Sequence, residues 1–168
     1  RSLFANDGLV NYVLVNLGIL DKPYNFLTQP FAAKIVIILA LLWRWTGYNM
    51  VFFLSGLQNI EYSVYEAAKI DGASAIQTFF KITVPLLKPT ILLTAIMSTN
   101  GTLQLFDESI NLTDGGPANA SISMSHYIYN LCFKYVPNFG YAAAMSFFIL
   151  LLVAVLALIQ MRVGDKRD

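Results

Sequence analysis

Apolar residues dominate three long stretches of this chain, and polar residues collect in the intervals between them. Each stretch approaches the roughly 20 helical residues that cross a hydrocarbon core. They cover about residues 33–57, 87–106 and 139–161. The first is interrupted in its interior by Arg44, and Ser98, Thr99, Asn100 and Thr102 dilute the second. The pattern predicts an all-α fold, a polytopic transmembrane helix bundle with about three spans in this chain. The interval 60–85 is polar, and the interval 107–139 is punctuated by Gly and Pro. Upstream, Leu9, Val13, Leu17 and Leu20 recur at helical spacing. Two readings stand for them: a short helix on the membrane interface, or the end of a further transmembrane hairpin.

Composition agrees with lipid as the solvent. Of 168 residues, 57% are hydrophobic and 12% charged, with a mean hydropathy of +0.59; a water-soluble domain of this length rarely carries so little charge. The net charge of +1 and the absence of a dense Lys/Arg block argue against a nucleic-acid partner. One cysteine, Cys132, excludes an internal disulfide framework and a multi-cysteine metal site. The chain starts at Arg1 in mid-pattern, without the basic and apolar regions of a signal peptide, and reads as the C-terminal part of a longer protein with further spans.

Cations near span ends are retained on the cytoplasmic side. Lys69 and Lys81, with Lys88 at the start of the second span, therefore place the first interval inside, and Arg162, Lys166 and Arg167 place the tail there. The interval 107–139 then faces outward, with Lys134 set against Asp107, Glu108 and Asp114. The N-terminal segment is also outside, where Arg1, Lys22 and Lys34 accompany Asp7 and Asp21.

The cytoplasmic interval carries the most informative residues. Glu66-Ala67-Ala68-Lys69-Ile70-Asp71-Gly72-Ala73 reads as a helix ended by glycine, and Phe79, Phe80 and Ile82 give an apolar face to a second helix that Pro85 closes. Ala67 and Ala68 offer flat surface that another protein's backbone can approach. This helix-turn-helix is either a handle gripped by a soluble partner or an amphipathic hairpin folded onto its own bundle.

The spacing Glu66-Ala67-Ala68, three residues, Gly72, nine residues, Ile82-x-Val84-Pro85 resembles the EAA signature of binding-protein-dependent ABC importer permeases. Val84 stands where Leu is more usual, and Glu61 where Pro is common. Gly56-Leu57-Gln58-Asn59-Ile60 and Leu112-Thr113-Asp114-Gly115-Gly116-Pro117 are similar to the carbohydrate branch, the maltose and lactose types included. The resemblance implies a type I ABC importer permease fold and a multi-pass subunit of the bacterial cytoplasmic membrane. Its partners would be ATP-binding subunits, a second permease subunit and an extracytoplasmic solute-binding protein, and its cargo a sugar. It further implies that Glu66, Ala67, Ala68, Asp71, Gly72, Ile82 and Pro85 contact the ATP-binding subunit. The chain has no phosphate-binding Gly-x4-Gly-Lys-Ser/Thr loop, so nucleotide energy would arrive from that partner, and neither enzymatic activity nor a cofactor is implied.

Polar and aromatic residues inside spans serve either helix packing or a water-filled pathway. Trp43, Thr46, Gly47, Asn49, Asn100, Gly101 and Gln104 are the candidates for cargo contact, since aromatic faces stack on sugar rings and amides pair with hydroxyls. His126 and Cys132 each lack a neighbour in sequence that would make a metal or catalytic site. The alternatives are a permease of this superfamily for glycerol phosphate or a polyamine, and an ion-coupled secondary transporter whose uptake would survive loss of the ATPase.

Overall fold

The computed structural model describes residues 2–164; Arg1, Lys166 and Arg167, three of the cations bearing on sidedness, lie outside the described residues. Among the described residues every regular element is helical. In chain order these are α1 (Leu9–Asn16), α2 (Pro30–Gln58), α3 (Tyr62–Ile70), α4 (Ala75–Thr78), α5 (Val84–Leu86), α6 (Lys88–Leu103), α7 (Met124–Tyr129) and α8 (Phe139–Gly164). Wide π-helical turns cover Phe79–Thr83, Ser109–Thr113 and Asn130–Lys134.

Among the described residues two helices are long and apolar enough to cross a membrane. α2, begun by a proline whose missing N–H is harmless in the first turn, has 29 residues and so a length of about 43 Å. α8, with 26 residues, reaches about 39 Å. α6, the counterpart of the middle predicted span, has 16 residues, about 24 Å, and ends before Gln104. It passes as a span only together with the preceding Ala75–Leu86 segment, from which it is bent by 65°.

The second helix of the polar interval ends one residue after Pro85, and at Leu87 the chain turns into α6. Proline removes an N–H and crowds the carbonyl four residues back, and the π turn at Phe79–Thr83 is where the helix widens to absorb both. Pro89 is then tolerated because it lies in the first turn of α6.

The chain divides into two compact units, Arg1–Trp43 with Gly101–Leu151, and Arg44–Asn100 with Leu152–Asp168. In the first, the buried apolar residues are Ala32, Ala33, Val36 and Ile37 of α2, Leu131, and Ala142 and Ile149 of α8. In the second, Gly56 permits a close approach: a Cβ there would lie 2.8 Å from Leu87 Cδ2 and 2.9 Å from Thr90 Oγ1. Interhelical polar bonds lie nearby in sequence. Asn49 meets Ser98 Oγ through Nδ2 at 3.2 Å and through Oδ1 at 3.3 Å, and Gln160 Nε2 donates to Thr99 Oγ1 at 2.8 Å. Adjacent residues of α6 are thus tied to α2 and to α8. Large apolar side chains along both long helices, Phe31, Leu39, Leu42, Phe147, Leu151 and Leu158 among them, remain exposed, as expected where lipid rather than water is the neighbour.

Candidate functional site

The Glu66 to Pro85 region lies in the second unit, and its geometry is set by consecutive local signals. α3 ends where Gly72 adopts φ +75°, a left-handed conformation that costs a residue with a Cβ about 1–2 kcal/mol. The Ala73 N–H donates to Ala68 O at 3.0 Å and the Gly72 N–H to Lys69 O at 3.2 Å, the paired bonds of a Schellman motif. α4 begins at once: the Gln77 N–H donates to Ser74 Oγ at 3.3 Å, and the Ser74 N–H to Gln77 Oε1 at 2.9 Å, a reciprocal capping box. A bond between Tyr65 Oη and Thr83 Oγ1, 3.3 Å, braces α3 against the π turn. Few backbone rotations are left free between the two helices, so the turn is stiff.

The outer face of this hairpin is open. Glu66, Ala67, Lys69, Asp71 and Gly72 are exposed, and so is Pro85; Ile82 is half-buried. Ile70 is 86% exposed, with Tyr62, Ile76, Phe79 and Phe80 also bare, so a polar loop presents large unpartnered apolar side chains. One expectation fails. Ala68 is only 6% exposed, so of the alanine pair Ala67 alone offers surface. The small side chain of Ala68 serves packing within its own unit, where it is also the residue whose carbonyl closes the Schellman motif.

The candidate cargo residues divide between the units. In the second, Thr46, Gly47 and Asn100 are exposed, and no heavy atom lies within 4 Å of a Cβ built on Gly47. Asn49 is the exception, because Ser98 engages its amide and it serves helix packing. In the first unit, Trp43 is exposed and Gly101 half-buried. Gln104 lines an open hollow of about 280 Å³ with Ser125, Ile128, Ser146, Ile149 and Leu150. The sequence marks Ser98 and Thr99 only as polar residues of a span, without their bonds to Asn49 and Gln160, and Gln160 is not among its candidates. A lone amide in an otherwise apolar helix was the signal for Gln160.

His126 has partners after all. It is fully buried, and its Nδ1 lies 2.8 Å from Ser109 Oγ, also fully buried. The Ser109 hydroxyl donates to Ser121 O at 2.7 Å, so Nδ1 carries the proton and donates to Ser109. Nε2 has no hydrogen-bond partner and stands 3.7 Å from Asp114, which Lys134 Nζ clasps at 3.0 Å. Ser, His and Asp in a row suggest a nucleophile relay, yet an imidazole that donates to a buried serine cannot take its proton. Burial lowers the His126 pKa from its ordinary 6.5, Asp114 opposes that shift and Lys134 adds to it. The network's evident work is to fold the loop, with Thr113 Oγ1 at 2.6 Å from Ser121 Oγ and Ser121 Oγ donating to Gly116 O at 2.6 Å.

Taken together, apolar membrane-length helices and a braced, open helix-glycine-helix hairpin define a class: an all-helical membrane protein with a short, exposed helical hairpin set between its apolar helices. Comparison gives the family. Residues 8–167 match the model of the binding-protein-dependent transport system inner membrane component, and the chain belongs to that family. It is 53% identical over 169 residues to the lactose transport system permease protein LacF of Rhizobium radiobacter, covering 99% of this chain and 57% of that protein. It is 37% identical to the trehalose/maltose transport system permease protein MalF of Thermococcus litoralis, covering 95% of this chain and 53% of that protein. Among solved structures, a bacterial ABC transporter involved in import of the acidic polysaccharide alginate superposes with a TM-score of 0.83 at 25% identity, over 98% of this chain and 58% of that one. A bacterial alginate ABC transporter in complex with an alginate pentasaccharide-bound periplasmic protein matches with a TM-score of 0.72 at 27% identity, over 97% and 56%. The chain thus spans about half the length of the relatives it matches.

Proposed function

We propose that this chain is part of the permease subunit of an ATP-binding-cassette importer for a sugar or oligosaccharide, with ATP hydrolysis on a separate subunit. The observation that carries the proposal is the exposed, braced hairpin around Glu66 and Gly72, in a chain 53% identical to a lactose permease. ATP-binding subunits would seat on Glu66, Ala67, Lys69 and Ile70, and a second permease subunit would complete the pathway. Closure of the ATP-binding pair would displace the hairpin as one piece, because the Schellman motif, capping box and Tyr65–Thr83 bond let little of the movement dissipate in the turn. The bend at Leu87 leads that displacement directly into α6. Coupling of this kind requires the partner's two states to differ in contact free energy with the hairpin, typically by about 1–3 kcal/mol.

Candidate cargo contacts are Trp43, Gly101 and Gln104 in the first unit and Thr46, Gly47 and Asn100 in the second, with Gln104 set in a hollow of its own unit. The relatives named for lactose and for trehalose or maltose favour a di- or oligosaccharide. The test is Ile70→Asp in the full-length protein reconstituted with its partners in proteoliposomes. ATP-dependent uptake of labelled lactose should fall to background with membrane insertion unchanged. Uptake at the wild-type rate would refute the assignment.

A further inference from the structure

α1 buries an amide and leaves large apolar side chains bare. Residues of an eight-residue segment that face a protein interior are ordinarily the apolar ones, yet here the residue of α1 that is buried is Asn11, at 1% exposure. Leu9, Tyr12, Val13 and Leu17 project outward, with Leu9 at 61% and Leu17 at 67%. Val10, Leu14 and Val15, on the other side, are half-buried. α1 contains no charged residue. Both faces of α1 carry apolar side chains, with Asn16 the exposed polar residue at its end, and such a helix needs two largely apolar environments, of which its own unit supplies one.

The identity of the other follows from a tether. The Asn11 side chain donates through Nδ2 to Tyr24 O and to Ala5 O, both at 2.9 Å, and accepts the Tyr24 N–H through Oδ1 at 2.8 Å. α1 is therefore pinned to Tyr24, six residues before Pro30 opens α2. Six residues reach at most about 20 Å. α2, at about 43 Å, spans a bilayer from headgroup to headgroup, so its first residue stands at headgroup depth and the tether keeps α1 near that surface. At the tether Tyr24 packs edge to face on Phe26, with ring centroids 5.1 Å apart, and Phe26 on Phe4 at 6.1 Å; tyrosine is among the residue types enriched at membrane interfaces.

We infer that α1 is an interfacial foot, with Leu9, Tyr12, Val13 and Leu17 seated in the lipid headgroup–acyl boundary at the membrane face where α2 begins. With no cation in α1 and Asp7 exposed just before it, the attachment is by apolar area and draws nothing from anionic lipid. The inference rests on membrane insertion, which family membership gives, and is independent of the cargo.

The experiment uses the full-length protein with its partner subunits in phosphatidylcholine nanodiscs, other cysteines replaced, and a nitroxide on Leu9→Cys, Val13→Cys, Leu17→Cys or the loop variant Lys22→Cys. Collision with oxygen, which concentrates in lipid, is compared with collision with an aqueous nickel chelate. Oxygen should exceed nickel at positions 9, 13 and 17 and fall below it at 22, and adding phosphatidylglycerol should leave the pattern unchanged. Nickel prevailing at positions 9, 13 and 17 would mean that the face lies in water. Low values for both probes would mean that protein covers it. Either result overturns the inference.

Discussion

The hairpin around Gly72 and the loop around His126 are both short helical insertions between apolar helices, and they are stabilised in opposite ways. The hairpin is held by its backbone, through the Schellman bonds and the capping box, and leaves its side chains outward. The loop is held by side chains turned inward, with Ser109 and His126 fully buried and Asn130 nearly so. A backbone-held element keeps its shape while its surface is free for a partner. A side-chain-held element commits its polar groups to itself and is sensitive to every one of them.

Substitutions sharpen that contrast, beginning with the most damaging. Gly72→Pro demands φ near −65° where the chain has +75°, and should cost about 3 kcal/mol or more locally, abolishing ATP-coupled uptake while α2 and α8 still insert. Uptake and protease sensitivity of the loop read the two effects. In the other region, Ser109→Ala strands both Nδ1–H of His126 and the carbonyl of Ser121, at about 1–3 kcal/mol each, and should raise hydrogen exchange across residues 109–135. Exchange in the hairpin should not change. Ser74→Ala removes one cap and should cost about 1 kcal/mol, lowering the uptake rate without eliminating it.

The smallest effect is pH-dependent and belongs to the loop alone. Burial holds the folded His126 pKa below 6.5, so between the two values the unfolded loop binds more protons than the folded one. Stability is then fully present above about pH 6.5 and lost as pH falls toward the lowered folded value. Exchange protection of residues 109–135 should decline from pH 7.5 to 5.5, and His126→Asn should flatten that slope. Protection that rises on acidification would contradict the assignment.

The same difference explains what was legible in the sequence. Gly72, and Ser74 followed three residues later by Gln77, are local signals that shape the hairpin regardless of distant residues, and the helix ended by glycine was read from residues alone. The all-α fold was legible for a similar reason, since span length and apolarity are properties of contiguous sequence. The His126 network joins residues 17 apart, and no spacing rule announces it. Inward placement of Ala68 rather than Ala67 depends on which face of α3 meets the rest of its unit, which the Glu-Ala-Ala triplet does not encode. Asn49 stands among the cargo candidates because an amide in a span serves either purpose, and its partner Ser98 lies 49 residues away, beyond any local pattern.

The central proposal is that an ATP-binding subunit would grip the outer face of α3, and cysteine footprinting of the assembled full-length transporter tests it most directly. Ala67→Cys, Ala68→Cys and Ile70→Cys are treated with a membrane-impermeant maleimide from the cytoplasmic side, with and without the ATP-binding subunits. The expected result is rapid labelling at positions 67 and 70 that assembly suppresses, with position 68 slow in both states. Equal labelling of 67 and 70 in free and assembled protein would contradict the account.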